Sequence, residues 1–293
     1  MKRALYVITA LLASTVLAAQ TPPTAGGPLT RHYHQGETLA YHMTATNDDL
    51  RYTADVSCVT GAPSGGSYAE ECRWTAMTYN GQPVAFSPET AQFRQTVSLD
   101  PGRMPAPPDF SKADPRLTGP ILDFFTFYID LWLANKVGTL QHPGDHFYIP
   151  NPQPNSWADG TRVLIGKDQI DFDLNLQAVD PAQHTVVAVV HHVPSAHSSL
   201  QFPAEWMQAP VADTPNNWIE VAKTQDGKFQ AGSGKETVDN SIVVSTVDGT
   251  ILSATMENPV VTSSRVCDDA ALTICGPAQR HTIHRHVEIA LQR

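Results

Sequence analysis

The sequence contains 293 residues, of which 19 are Lys or Arg and 29 are Asp or Glu, so its formal net charge at pH 7 is −10. An acidic chain whose few basic residues form no cluster is poorly suited to the phosphate backbone of nucleic acid. The composition therefore predicts no nucleic-acid partner.

The first 19 residues have the pattern of a secretory signal peptide. Lys2 and Arg3 precede an apolar run from Ala4 to Leu12, and small residues follow as far as Ala19. The end of this segment resembles a lipoprotein signal in which Gln20 stands where the acylated cysteine would be, so no lipid can be attached there. We therefore expect an exported protein, periplasmic or extracellular, that is soluble after cleavage and has no stable insertion in a membrane.

The remaining chain predicts a short lead-in and one β-rich domain. Residues 20–29 are rich in proline, glycine and threonine, which is typical of a flexible segment. Residues 30–293 contain strand-like alternation, interrupted by turn signals such as Asn80-Gly81 and Asp248-Gly249. We expect roughly ten antiparallel strands in meander order.

One stretch breaks the strand pattern and predicts a helix over about 118–137. Pro120 suits its first turn, and Gly138 suits the left-handed residue that ends a helix. Apolar and aromatic side chains cover most of its circumference, which indicates deep burial. The predicted fold is therefore mainly β, with a curved antiparallel meander sheet (a half-barrel or β-clam) wrapped around one buried aromatic helix. The narrow polar stripe of this helix consists of Asp123, Thr126 and Asp130.

This predicted architecture resembles the β-clam of periplasmic lipoprotein carriers of the LolA type and related secreted lipid-binding proteins. The resemblance lies in the export signal, the long meandering strands and the internal aromatic helix, and it extends over the whole mature chain. No sequence motif carries it, so it assigns no functional residue. It implies binding of an acyl chain or another apolar molecule.

The leading functional hypothesis is a non-catalytic binding protein for an apolar or lipid-like ligand. A strongly curved sheet around so apolar a helix easily leaves a dry gap, and one flank of the helix would line it. The residues predicted to contact the ligand are Phe124, Phe125, Tyr128 and Trp132. The same side chains also suit a filled core, so the alternative is a structural or interaction module of the cell envelope without a ligand.

Four cysteines in an exported chain predict two disulfides. Cys58 and Cys72 flank a Gly/Ser-rich tip, and Cys267 and Cys275 flank a short loop near the end of the chain. Pairing within each of these two couples is the simplest of the three possible connectivities. Neither couple has the C-x-x-C spacing of a redox or metal motif.

Histidines are the main candidates for metal ligands, although no cofactor is predicted. His32 and His34 near the mature start share an H-x-H spacing with His284 and His286 on the last predicted strand. If the terminal strands pair, the four imidazoles could converge on zinc or copper, but polar alternation on an exposed strand is the favoured explanation. Gly232–Lys235 lacks the register of a phosphate-binding loop, and no recognised catalytic motif is present. A metal-binding protein or a hydrolase with an unrecognised triad is the third hypothesis.

Overall fold

The computed structural model describes residues 27–48, 50–106, 108–150, 163–166, 170–195 and 200–292, with backbone only for 163–166. The predicted signal peptide, residues 1–19, and most of the predicted lead-in lie outside the described residues. The core begins earlier than the predicted boundary at residue 30, because Leu29 is only 2% exposed and packs in the main core.

The described chain is mainly β, as predicted, and forms one large antiparallel sheet around a single long helix. The helices are α1 (Pro88–Gln92) and α2 (Thr118–Lys136). The strands are β1 (Thr38–Asn47), β2 (Leu50–Thr60), β3 (Glu70–Tyr79), β4 (Gln82–Pro83), β5 (Gln95–Val97), β6 (His146–Ile149), β7 (Val163–Gly166), β8 (Ile170–Asp180), β9 (Thr185–Pro194), β10 (Trp218–Lys223), β11 (Phe229–Glu236), β12 (Val238–Ser245), β13 (Ile251–Cys267) and β14 (Gln279–Leu291).

The strand order is a meander only in part. Along the main path the order is β4-β3-β2-β1-β14-β13-β12-β9-β8-β6, so the last strand returns to pair with the first. The 17-residue β13 pairs along one edge with β14, and along the other first with β12 and then with β11. The sheet therefore forks at β13, and β11, β10 and β7 form a branch.

The main hydrophobic core lies between the sheet and α2. Phe124 is fully buried, and its ring makes edge contacts with Tyr41 and Trp74 at centroid distances of 5.5 and 6.0 Å. Burying one such aromatic side chain stabilises the fold by about 2–3 kcal/mol. Residues 115–136 are long and apolar enough to cross a membrane by length and composition alone, but 61% of an apolar 18-residue window within them is buried in the fold. In this structure α2 is a core helix.

Several local predictions are confirmed. Cys58 is bonded to Cys72, and Cys267 to Cys275, which is compatible with an oxidising, exported environment. The Asn80-Gly81 turn has φ values of 49° and 76°, as a tight hairpin requires.

The sequence over Phe93–Leu99 predicts a strand, but only the three-residue β5 forms there, shortly after α1. Ser87 caps α1, since its side chain accepts a hydrogen bond from the Thr90 backbone N–H at 3.2 Å, and Pro88 occupies the first turn. A capping serine followed by proline favoured this helix, and the strand-like residues after it are left with only a short pairing to β3.

The Gly232–Lys235 segment lies within β11 and forms no loop. A Cβ atom at Gly234 would lie 2.2 Å from the backbone oxygen of Val261 on the paired strand β13, so only glycine fits there. Close approach of a neighbouring backbone is a common reason for glycine inside a strand.

Candidate functional site

The two aspartates of the predicted polar stripe of α2 are buried, whereas Thr126 between them is partly exposed. Asp123 and Asp130 are 1% and 0% exposed, and nearly two helical turns separate them, so both project from one face. A buried carboxylate is tolerated only when it is paired and hydrogen-bonded. Strands β2, β9, β12 and β14 supply the partners, and the two carboxylates receive different ones.

Asp130 lies in a closed polar cluster. Nε2 of His192 lies 2.9 Å from Oδ1 and 2.8 Å from Oδ2 of Asp130, and Nδ2 of Asn240 donates a further hydrogen bond to Oδ2. Burial lowers the pKa of His192, but the charge of Asp130 and its hydrogen bond outweigh this effect, and the pKa is raised above its usual value. Asp130 and Asn240 are 0% exposed, so this end of the stripe excludes solvent.

Asp123 lies in a cluster of a different kind. The Tyr52 hydroxyl donates to Oδ2 of Asp123, and Nη2 of Arg285 forms an ion pair with Oδ1. The Arg285 side chain remains 24% exposed, and Asp123 is its only ionic or hydrogen-bonded partner in the described part of the chain. Burial lowers the pKa of Arg285, an effect that Tyr52 partly opposes.

A cleft of about 490 Å³ opens over Arg285 and Tyr52. It lies between the N-terminal end of α2, the β1–β2 hairpin and the middle of β13 and β14, and its surface is mostly apolar. Its volume lies within the roughly 300–1,000 Å³ that is typical of small-molecule sites. The main apolar wall residues are Leu50, Tyr79, Pro120, Leu122, Val260 and Ile283.

The local sequence keeps this cleft open. Asp114 caps a short 3-10 turn, Pro115–Leu117, which continues directly into α2 and sets the helix start against the cleft. Gly119 in the first turn adds no side chain, and a Cβ atom there would meet only Tyr52, at 3.8 Å. The space beside the first turn therefore depends on this glycine.

The four residues predicted to contact a ligand lie elsewhere on α2, and none of them lines this cleft. Phe124 and Tyr128 are buried in the main core, where the Tyr128 hydroxyl lies 2.5 Å from Oε2 of Glu70. Nε1 of Trp132 donates to the backbone oxygen of Asp100 at 2.9 Å, and Phe125 is half-buried. Their assignment as ligand contacts stays a prediction, and the helix contributes its first turn to the cleft instead.

The two predicted histidine pairs do not converge, although β1 and β14 do pair. His286 lies opposite Thr46 near the end of β1, whereas His32 and His34 precede the first residue of that strand. His284 and His286 contact Glu257 at 3.5 and 2.6 Å on the surface.

Among the described residues, the one group with metal-ligand spacing is Cys58, Glu70 and Cys72. The two thiols of this group form a disulfide and are not free to bind a metal ion.

Sequence reasoning missed Arg285 and Tyr52, two of the polar residues that line the cleft. A signal was present for Arg285: it alternates along β14 with Ile283 and Val287, in a row where apolar residues point inward. An isolated cation in an inward-facing row indicates a buried partner or a ligand.

The chain matches no protein-family model and none of the curated proteins with which it was compared. The resemblance to LolA-type carriers stays an expectation about architecture and assigns no residue. Function is therefore argued from the chemistry of the site.

Proposed function

We propose that this protein is an exported, non-catalytic binding protein that holds an apolar, lipid-like molecule in the cleft at the start of α2. The cleft carries this proposal, because it combines apolar walls, a volume suited to a small molecule and a few polar groups at its base. Export is supported by the signal-like residues 1–19 and by two disulfides, which persist in oxidising compartments.

The exposed side chain of Leu122 also supports binding at this position. Leu122 is 42% exposed although it belongs to the core helix, and it forms part of the cleft wall. An apolar ligand would cover this surface, and each buried methylene group would contribute about 0.8 kcal/mol.

The alternative, a structural module without a ligand, is favoured by the tight packing of the aromatic residues farther along α2. Phe124, Tyr128 and Trp132 are buried and have contacts inside the protein. The two hypotheses differ in what they predict for the cleft: the structural module gains nothing from keeping it open.

The variant Gly119→Leu separates the two hypotheses. Its side chain would fill the cleft beside Tyr52, while the helix loses an unfavourable glycine, so the fold is expected to be retained. We expect wild type to take up a fluorescent fatty acid saturably, with 1:1 stoichiometry, and Gly119→Leu to lose uptake at least tenfold.

The matched control is Gly276→Leu, the same substitution at an exposed glycine remote from the cleft, where a Cβ atom has ordinary contacts. It should bind like wild type. Absence of saturable uptake by wild type, or equal uptake by Gly119→Leu, would leave the structural module as the better explanation.

A further inference from the structure

The base of the cleft holds a cation whose hydrogen-bonding capacity is only partly used. A guanidinium has five N–H donors in a fixed planar arrangement. In the described structure the Arg285 guanidinium has one partner, Asp123, and the side chain opens into the cleft with 24% of its surface exposed. The remaining donors are therefore available to a molecule in the cleft.

Asp123, in contrast, is buried beneath the cleft and is not among the residues that line it. Its Oδ1 is paired with Arg285 and its Oδ2 accepts the hydroxyl of Tyr52, and the residue is 1% exposed. An incoming donor or cation therefore finds a satisfied carboxylate, whereas an incoming acceptor finds free N–H groups. This asymmetry favours an anion over a cation at the base of the cleft.

Two further features favour negative charge in this position. The cleft is bordered by the N-terminal end of the 19-residue α2, where the helix dipole is positive. The other cation of the cleft, Arg116, is held by Asp114 through hydrogen bonds of 2.9 and 2.7 Å from Nε and Nη2, and its remaining N–H groups add donors beside Arg285.

We propose that Arg285 binds the anionic head group, carboxylate or phosphate, of a single-chain amphiphile whose apolar tail lies along the walls of the cleft. This inference rests on the proposed function and specifies its ligand. Guanidinium groups match both anions because two parallel N–H donors can meet two oxygens. Asp123 keeps the guanidinium in place through its ion pair with Nη2.

The test compares ligands with one tail and three head groups: dodecanoate, dodecyl phosphate and dodecanol, each displacing a fluorescent fatty acid from the protein. We expect at least one anion to bind about 10- to 100-fold more tightly than the alcohol, because hydrogen bonds to charged groups are stronger than neutral ones. The anion with the larger advantage identifies the head group.

The outcomes separate this inference from the proposed function. If dodecanol binds as tightly as both anions, the proposed function survives and the role of Arg285 is overturned. If none of the three ligands binds, the proposed function itself fails, and this inference fails with it.

Removing Arg285 alone would leave Asp123 buried without its counter-ion, so the informative variant is Arg285→Gln combined with Asp123→Asn. This double variant removes both charges and retains groups that can hydrogen-bond to one another and to Tyr52. The anion's advantage over dodecanol should fall to less than about threefold, and saturable binding of dodecanol together with an unchanged circular dichroism spectrum would report an intact cleft. A double variant that binds dodecanol and keeps the full preference for the anion contradicts the proposal.

Discussion

The two ends of the polar stripe on α2 place the same residue type in different surroundings. At the Asp130 end, an imidazole and an amide close around the carboxylate, and solvent is excluded. At the Asp123 end, the carboxylate is equally buried, but its partner Arg285 reaches from the core into an open cleft.

This comparison shows that a buried charge is not by itself a sign of function. Both aspartates have partners, as burial requires. The ends differ in what remains after pairing: in the described part of the chain the carboxylate and amide of the closed end are fully buried, whereas the open end leaves donors of Arg285 and an apolar surface. At the closed end, hydrogen bonds join α2 to strands β9 and β12. The open end is the site of the proposed ligand.

The largest expected effect concerns the closed end. His192→Ala would leave Asp130 buried with Asn240 as its remaining partner, at a cost of about 3–5 kcal/mol in the free energy of unfolding. Urea unfolding at pH 6 measures this cost.

The neighbouring residue provides the control. His191 is paired with Asp239 at the surface, with side chains 33% and 50% exposed, so His191→Ala should cost less than about 1 kcal/mol. If both variants lost the same free energy of unfolding, the hydrogen bonds between His192 and Asp130 would not stabilise the packing of α2 on the sheet.

Larger side chains in α2 should change the free energy of unfolding differently at its two ends, by less than the loss expected for His192→Ala. Ala134, one turn after Asp130, is 1% exposed, and Ala134→Leu would overpack the core at a cost of about 1–3 kcal/mol. Gly119→Leu at the open end should leave stability unchanged or raise it by up to about 1 kcal/mol, because a leucine favours the helix and the cleft has room. Thermal unfolding of both variants tests the difference, and a destabilised Gly119→Leu would show that the cleft is closed in solution.

The smallest expected effect is the pH dependence of the closed end. Because the pKa of His192 is raised by Asp130, its contribution to stability is complete below the unfolded-state value of about 6.5 and is lost as pH rises through the folded-state value. Each unit of pKa difference corresponds to about 1.4 kcal/mol. The stability difference between wild type and His192→Gln should therefore shrink between pH 6 and pH 9.

Other titrating groups do not confound this comparison. Besides Asp130, the acidic groups acting on His192 are Glu236 and Asp239, and both are present in wild type and variant. The pKa of the surface residue His286 is also raised, through Glu288 and Glu257, and its contribution cancels in the difference. A difference that stays constant with pH would show that the His192–Asp130 pair does not titrate in this range.

Features determined by local sequence were predictable. Gly138 has a φ of 69° at the end of α2, as its position after the apolar run indicated, and both disulfides join cysteines that are close in sequence. The mainly β fold followed from alternation and turn signals, which are also local properties.

Features that depend on how strands far apart in sequence pair with one another could not be predicted from local patterns. The sequence identified the polar stripe of α2, but its partners His192, Asn240 and Arg285 come from strands whose positions are fixed only by the folded sheet. The aromatic residues of α2 suit a core and a ligand wall equally well, and only packing distinguishes them. The open space of the cleft beside Tyr52 depends in part on the absence of a side chain at Gly119, which no hydrophobic pattern reveals.

Native mass spectrometry of wild type and Gly119→Leu, both purified without delipidation and then incubated with dodecanoate, tests the central claim most directly. The account predicts that wild type carries one bound amphiphile per chain and that Gly119→Leu carries none. A wild-type protein that carries no bound molecule after this incubation, or a filled variant that carries as much as wild type, would contradict a ligand site at the start of α2.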